Sequence, residues 1–177
     1  MEFRRANVQD IEAIAALHAK SWRNNYRGAY SDAFLDGNVV DDRRAVWSER
    51  LTHPSSVDDT VVAERNGSII GFVHTILDQD PVLGALLDNL HVAHDIKRTG
   101  IGTQLMAQSA SAVMARGTLK RLYLAVLEAN APAQAFYEAR GGERVGQEIS
   151  EAPGGGSVVG FLYAWEDPSV LLQAPTS

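Results

Sequence analysis

The chain has 177 residues and a formal net charge of −6, from 16 Lys and Arg against 22 Asp and Glu. A hydrophobic share of 45% and a charged share of 21% describe an ordinary globular chain with one full core, and the negative balance argues against a general nucleic-acid binder while mildly suiting a cationic partner. There is no cysteine, so disulfides, thiolate nucleophiles and zinc–thiolate sites are excluded; no apolar run is long enough to span a bilayer, and Met1 to Arg5 lacks the core of a signal peptide, which together point to the cytoplasm.

In chain order, Glu2 to Ala6 reads as a short strand and Asn7 as the N-cap of the next segment. Ile11, Ile14, Ala15 and His18 recur at helical spacing, which predicts an amphipathic helix to about Trp22. Arg23 to Tyr30 reads as a loop. A second helical stretch, broken near Gly37, runs to about Leu51 and carries Phe34, Leu35, Val46 and Trp47. Thr60 to Glu64 and Ser68 to Leu77 flank Asn66-Gly67, a hairpin signal because both residues tolerate the positive φ of a tight turn.

Ala85 to Val92 is the next strand, Ile101 to Arg116 a long helix, and Leu122 to Val126 a strand apolar enough to be buried on both faces. A short helix from about Ala131 to Arg140 tolerates Pro132 in its first turn. Glu143 to Ile149 and Val158 to Trp165 form a last hairpin, whose Gly154 to Gly156 tip reads as mobile and not as a phosphate cradle. The residues from Pro168 read as frayed. The expected organisation is a single domain over 1–167 with a short tail over 168–177. Strands alternating with helices in the order β-α-α-β-β-β-α-β-α-β-β place the chain in the α/β (α+β) class, with a mixed sheet flanked by helices.

Two stretches carry chemistry. The first is Leu90-His91-Val92, then Lys97-Arg98-Thr99-Gly100-Ile101-Gly102-Thr103: a strand, a basic loop with two glycines, and a helix start. A helix N-terminus offers unpaired N–H groups and the positive end of a dipole. Gly100 and Gly102 remove Cβ atoms where a phosphate must approach the backbone, and Lys97 and Arg98 add charge. The basic residues precede the glycines, which excludes the Walker loop; Leu105 stands where the dinucleotide fingerprint needs a third glycine. An ordinary strand-to-helix turn is the bland alternative. The second stretch is Asn130-Ala-Pro-Ala133-Gln-Ala-Phe136-Tyr137-Glu-Ala-Arg-Gly141, in which Ala133, Phe136, Tyr137 and Arg140 share one helix face. Core packing is the preferred reading for Phe136; a buried Tyr137 hydroxyl wants a partner. Asn130 reads as a helix cap.

The first stretch resembles the acyl-CoA loop of the GCN5-related N-acetyltransferase (GNAT) superfamily, Arg/Gln-x-x-Gly-x-Gly/Ala, with Lys97 in place of the usual Arg or Gln. The second resembles that superfamily's Asn-x-x-Ala-x-x-Phe-Tyr-x-x-x-Gly-Phe element; Asn130, Ala133, Phe136, Tyr137 and Gly141 match, and Gly142 stands where the Phe would be. The element order is that superfamily's too, which implies a mostly antiparallel central sheet. The resemblance implies acetyl-CoA as cofactor and transfer of its acetyl group to a primary amine of a small molecule or protein. A noncatalytic acyl-CoA sensor and an O-acyltransferase are the alternatives.

It further implies a cofactor site built from Leu90, His91, Val92, the Lys97–Thr103 loop, Asn130, Ala133, Phe136 and Tyr137. Leu90 and Val92 would act through their main chain, and the Tyr137 hydroxyl would lie near the thioester sulfur. For the base that an amine acceptor needs, Asp88 and His91 are candidates beside structural roles. Regular alternation would send them to opposite faces. Glu128 and a water chain are further options. Trp22, Tyr26 and Tyr30 are candidates to line the acceptor cleft, whereas Phe34 and Trp47 read as core. The five His residues show no metal spacing. No membrane partner is expected, and homodimerisation is a habit of that superfamily that this sequence does not reveal.

Overall fold

A computed structural model describes residues 1–96 and 99–173. Its strands are β1 (Glu2–Arg5), β2 (Asp58–Arg65), β3 (Ser68–Asp80), β4 (Gly84–Val92), β5 (Leu122–Leu127), β6 (Glu143–Glu151) and β7 (Ser157–Trp165). Its helices are α1 (Ile11–Asn25), α2 (Asp32–Asp36), α3 (Val39–Thr52), α4 (Ile101–Arg116) and α5 (Ala131–Glu138). The seven strands form one sheet in the order β1-β2-β3-β4-β5-β7-β6. The β4–β5 pair is parallel and the other pairs are antiparallel. The expected mixed, mostly antiparallel sheet is therefore present.

Each face of the sheet buries a different set of helices. On one, Ile14 and Ala15 of α1 and Trp47 of α3 pack on Val62 and Phe72. On the other, Leu105, Met106, Ala110 and Val113 of α4 pack on Val61, Ile70, Val73, Ala85 and Leu87, and Tyr137 of α5 joins them. Asn66 and Gly67 take φ of 53° and 75° in the β2–β3 turn, as their identities predict. α1 runs one turn past Trp22, to Asn25, and the Asn25 amide donates back to the Ser21 carbonyl. The expected fraying from Pro168 does not extend over the first residues: Pro168–Leu172 is a 3-10 turn, and Leu171 is buried against the α4 side of the core.

Two features of β4 shape the candidate site. Its ladder with β5 consists of Ala85↔Leu122 and Leu86↔Tyr123 alone, so beyond Leu86 the two parallel strands part. Its register with β3 jumps from Thr75↔Leu87 to His74↔Asn89, leaving Asp88 as an extra residue. Such a bulge bends a strand and resets its alternation. Ala85 and Leu87 face α4 before the bulge, Leu90 and Val92 after it.

The opposite face holds buried histidines. His18 is 0% exposed and His74 is 1% exposed. Burial, then the nearby His91, Arg43 and Arg50, holds His18 well below the ordinary imidazole range; burial, then Arg50, pushes His74 down to about 4. Both fold as neutral rings, whereas the unfolded chain protonates them near 6.5. The contribution of each is therefore intact above pH 6.5 and is lost as pH falls below it, for His74 as pH falls towards 4. Each ring should cost up to about 1.4 kcal/mol per pH unit in that window. Urea midpoints should hold nearly level from pH 7.5 to about pH 6.5 and fall from there to pH 5; a flat profile below pH 6.5 would contradict neutral burial of these rings.

Candidate active site

The site forms where β4 and β5 part. α4 begins at the C-terminal end of β4, after a 3-10 turn at His94–Ile96. Gly100 is its N-cap and takes φ +83°, a left-handed conformation that L side chains rarely adopt. The space around a Cβ there is open, the nearest atom being Gln104 Nε2 at 3.9 Å. The Thr99 hydroxyl donates to the Ile96 carbonyl at 2.7 Å and closes the turn. Lys97 and Arg98, expected to charge this loop, lie outside the described residues. Ile101 is 2% exposed and belongs to the core, so a ligand could meet it through the main chain.

α5 lies against the start of α4. A Cβ on Gly102 would meet Phe136 Cζ at 3.3 Å, so this glycine also lets α5 pack closely. Arg140 ties the two helices: its Nε and Nη2 donate to the Thr103 hydroxyl at 2.9 and 2.5 Å, and Nη1 donates to the Phe136 carbonyl at 2.8 Å. Its guanidinium lies 3.6 Å from the Phe136 ring centroid. The sequence reading put Arg140 on the α5 face, but the helix ends at Glu138 and Arg140 lies in the turn beyond it; the Thr103 contact, which spans 37 residues, left no sign in the sequence. Asn130 caps α5, its side chain accepting from the Ala133 N–H at 3.4 Å. Gly142, the departure from the superfamily pattern, has a physical cause: a Cβ there would meet Trp165 Cζ2 at 2.7 Å.

Tyr137 is buried, with Phe136 at 5.4 Å, Trp165 at 6.2 Å and Tyr163 at 6.4 Å between ring centroids. Among the described residues nothing hydrogen-bonds its hydroxyl. Burial pushes the phenol up to about 12. Tyr26 is also pushed up, by burial first and then by Tyr30, Tyr137 and Asp88.

The expectation that Asp88 and His91 face opposite ways does not hold. The Asp88 bulge turns both towards α1 and α3. Arg50 of α3 donates to Asp88 Oδ2 at 2.7 Å and to Asn89 Oδ1 at 2.9 Å, while His91 Nδ1 shares a 2.8 Å hydrogen bond with Ser21 Oγ of α1. Arg50 is a residue that the sequence reading missed.

Trp22, Tyr26 and Tyr30 do come together. Trp22 stacks on Tyr26 at 5.8 Å and meets Tyr30 edge-on at 5.0 Å, with Phe34 at 6.3 Å. Trp22 is 6% exposed with Arg43 at 4.2 Å over its ring, so it lies at the back of this aromatic cluster, and Tyr26 and Tyr30 form its half-buried front. The β6–β7 tip is docked here. Gly154 takes φ +86°, and a Cβ on it would fall 2.4 Å from Phe34 Cβ. The tip, which its three glycines suggested would stand free, is instead seated on α2 at Gly154.

An opened sheet with a helix N-terminus beyond it and a buried phenol on α5 is the acyl-CoA transferase arrangement that the two motifs imply. The chain belongs to the Acetyltransferase (GNAT) family, whose model matches residues 12–142. A curated relative, an uncharacterized N-acetyltransferase (YuaI) of Bacillus subtilis strain 168, is 27% identical over 154 residues, covering 85% of each chain. The PaiA N-acetyltransferase of Thermoplasma acidophilum, solved in complex with coenzyme A, shares the fold at a TM-score of 0.70 with 18% identity, over 92% of this chain and 96% of that one. A GCN5-related N-acetyltransferase from Rhodopseudomonas palustris shares it at 0.72 with 21% identity, over 92% and 93%. Family membership makes the protein an acyltransferase by class.

Proposed function

We propose that the protein transfers the acetyl group of acetyl-CoA to a primary amine by direct attack. The observation that carries this reading is the meeting of three elements at Gly102: a Cβ there, at the start of α4, would lie 3.3 Å from Phe136 of α5, the neighbour of Tyr137, and 3.9 Å from Val92 at the end of β4. The residues fit the cofactor. Gly100 leaves the front of the helix N-terminus open, and main-chain groups of Leu90, His91 and Val92 lie past the point where β5 stops pairing. Thr99, Ile101, Gly102 and Thr103 make up the described part of the phosphate side, to which the family resemblance adds the charges of Lys97 and Arg98. Asn130, Ala133 and Phe136 complete the other.

Acetyl-CoA supplies an activated acyl carbon and a thiolate leaving group. A main-chain N–H near Val92 would meet the negative charge that develops on the carbonyl oxygen. The Tyr137 phenol, still protonated at neutral pH, would give its proton to the departing thiolate, which resembles a cysteine of pKa about 8.5. Asp88 takes the proton that the acceptor amine gives up, directly or through water. Tyr26 and Tyr30, with Trp22 behind them, form the acceptor wall.

An amine panel of polyamines, aminoglycosides, amino acids and N-terminal peptides, with thiol release as readout, tests the reading. Release with at least one amine, and an N-acetyl product, is expected. Acetyl-CoA binding without release to any amine would favour a sensor; an ester product would favour O-acylation. The acceptor wall has its own test. Gly154→Ala places a Cβ against Phe34 and should lift the hairpin tip. The acceptor KM should then rise several-fold while acetyl-CoA affinity holds. Unchanged acceptor KM would remove the hairpin from the acceptor side.

A further inference from the structure

We propose that Arg50 is a positioning residue that fixes the acyl-CoA edge of β4; the inference rests on the acetyl-transfer reading above. β4 keeps its ladder with β5 through Leu86, and its bulge falls at Asp88, two residues later. Arg50 grips that bulge with both ends of its fork, Nη2 to Asp88 Oδ2 at 2.7 Å and Nη1 to Asn89 Oδ1 at 2.9 Å. Two consecutive strand side chains normally point to opposite faces, so one guanidinium can hold both only because the bulge turns Asp88 to the side of Asn89. The clamp and the bulge are thus mutually dependent.

Arg50 is itself held. Its guanidinium carbon lies 5.1 Å over the Trp47 ring, and Trp47, fully buried, donates from Nε1 to His18 Nδ1 at 3.0 Å. The His18 ring lies 4.4 Å from that of His91, which in turn bonds Ser21. Residues 88, 89 and 91 of β4 are therefore anchored from α1 and α3, on the face away from α4. The main chain of β4 past the bulge, unpaired with β5, is left to the acyl-CoA side of the site. A planar fork of five N–H donors satisfies two acceptors at once in a fixed geometry, which a lysine ammonium cannot reproduce. Without the fork, Asp88 and Asn89 lose their common partner, and the segment from the bulge to Val92 loses its defined direction.

Calorimetry with acetyl-CoA on the full chain tests this, at a temperature where each variant is folded. Arg50→Ala should weaken acetyl-CoA by about tenfold or more, the scale of one to two charge-assisted hydrogen bonds. Arg50→Lys should recover part of that loss. In steady-state kinetics the KM for acetyl-CoA should rise more than the KM for the amine. Arg44→Ala is the control: it removes another α3 guanidinium, paired with Glu12 at 2.8 Å, and should leave acetyl-CoA affinity unchanged. If Arg50→Ala does not fold, Arg50→Lys and Asn89→Ala carry the test, since each removes part of the fork's grip and should weaken acetyl-CoA measurably. Wild-type affinity in the folded Arg50 variants, or an equal loss in Arg44→Ala, would overturn the proposal. A wild-type protein that does not bind acetyl-CoA would instead overturn the functional reading on which it rests.

Discussion

Tyr137→Phe is expected to lower the single-turnover rate of acetyl transfer by about 10²-fold or more, the scale of a positioned general acid. The substitution keeps the ring that packs between Phe136, Trp165 and Tyr163 and removes only an oxygen that no described residue hydrogen-bonds. The fold should therefore persist, and acetyl-CoA affinity should change little, because the lost proton transfer matters in the transition state. Burial raises the phenol to about 12, so it is protonated throughout the neutral range and stops donating only as pH climbs towards that value. The alkaline limb of the rate profile should consequently move in the Phe variant. Steady-state kcat alone is a poor readout, since slow product release would mask the change. A Phe variant with the wild-type single-turnover rate would return Tyr137 to a packing role.

Gly100→Val and Gly102→Val are expected to abolish measurable acetyl-CoA binding, for two different reasons. At Gly100 the space is open, so a side chain is costly chiefly through the left-handed φ of +83°. That strain, about 1–2 kcal/mol, is small beside a typical domain stability of about 5–15 kcal/mol. The branched side chain would then stand in front of the α4 N-terminus, where the phosphates must approach. At Gly102 a Cβ already crowds Phe136 at 3.3 Å, so Val would push α5, and Tyr137 with it, away from α4. Gly102→Val should thus disturb both affinity and rate, whereas Gly100→Val should act on affinity. Calorimetry showing wild-type affinity in folded Gly100→Val would remove the phosphates from this helix end.

Local patterns carried far in this chain. Helical spacing found α1, α3, α4 and α5, Asn66-Gly67 fixed the β2–β3 turn, and the spacing from Asn130 to Tyr137 was sufficient to set the phenol on the buried face of α5. These features depend on neighbours within one or two turns, so the sequence determines them alone. Family resemblance, likewise, needed only the two motifs and their order.

What the tertiary structure decided is wherever distant residues meet. The bulge at Asp88 turned two supposedly opposed side chains to one face, because register is set by β3 and not by β4's own alternation. Arg50 reached Asp88 and Asn89 across 38 and 39 residues, and Arg140 reached Thr103 across 37. Neither pairing leaves a local mark. The glycine-rich tip looked free until Phe34 was found beneath Gly154, and Gly142 looked like a lapse from pattern until Trp165 was found in its space. A sequence states which conformations each segment prefers. It does not state which atoms from other segments will occupy the adjoining volume, and at this site that volume fixes the direction of β4, the seat of α5 and the aromatic cluster around Trp22.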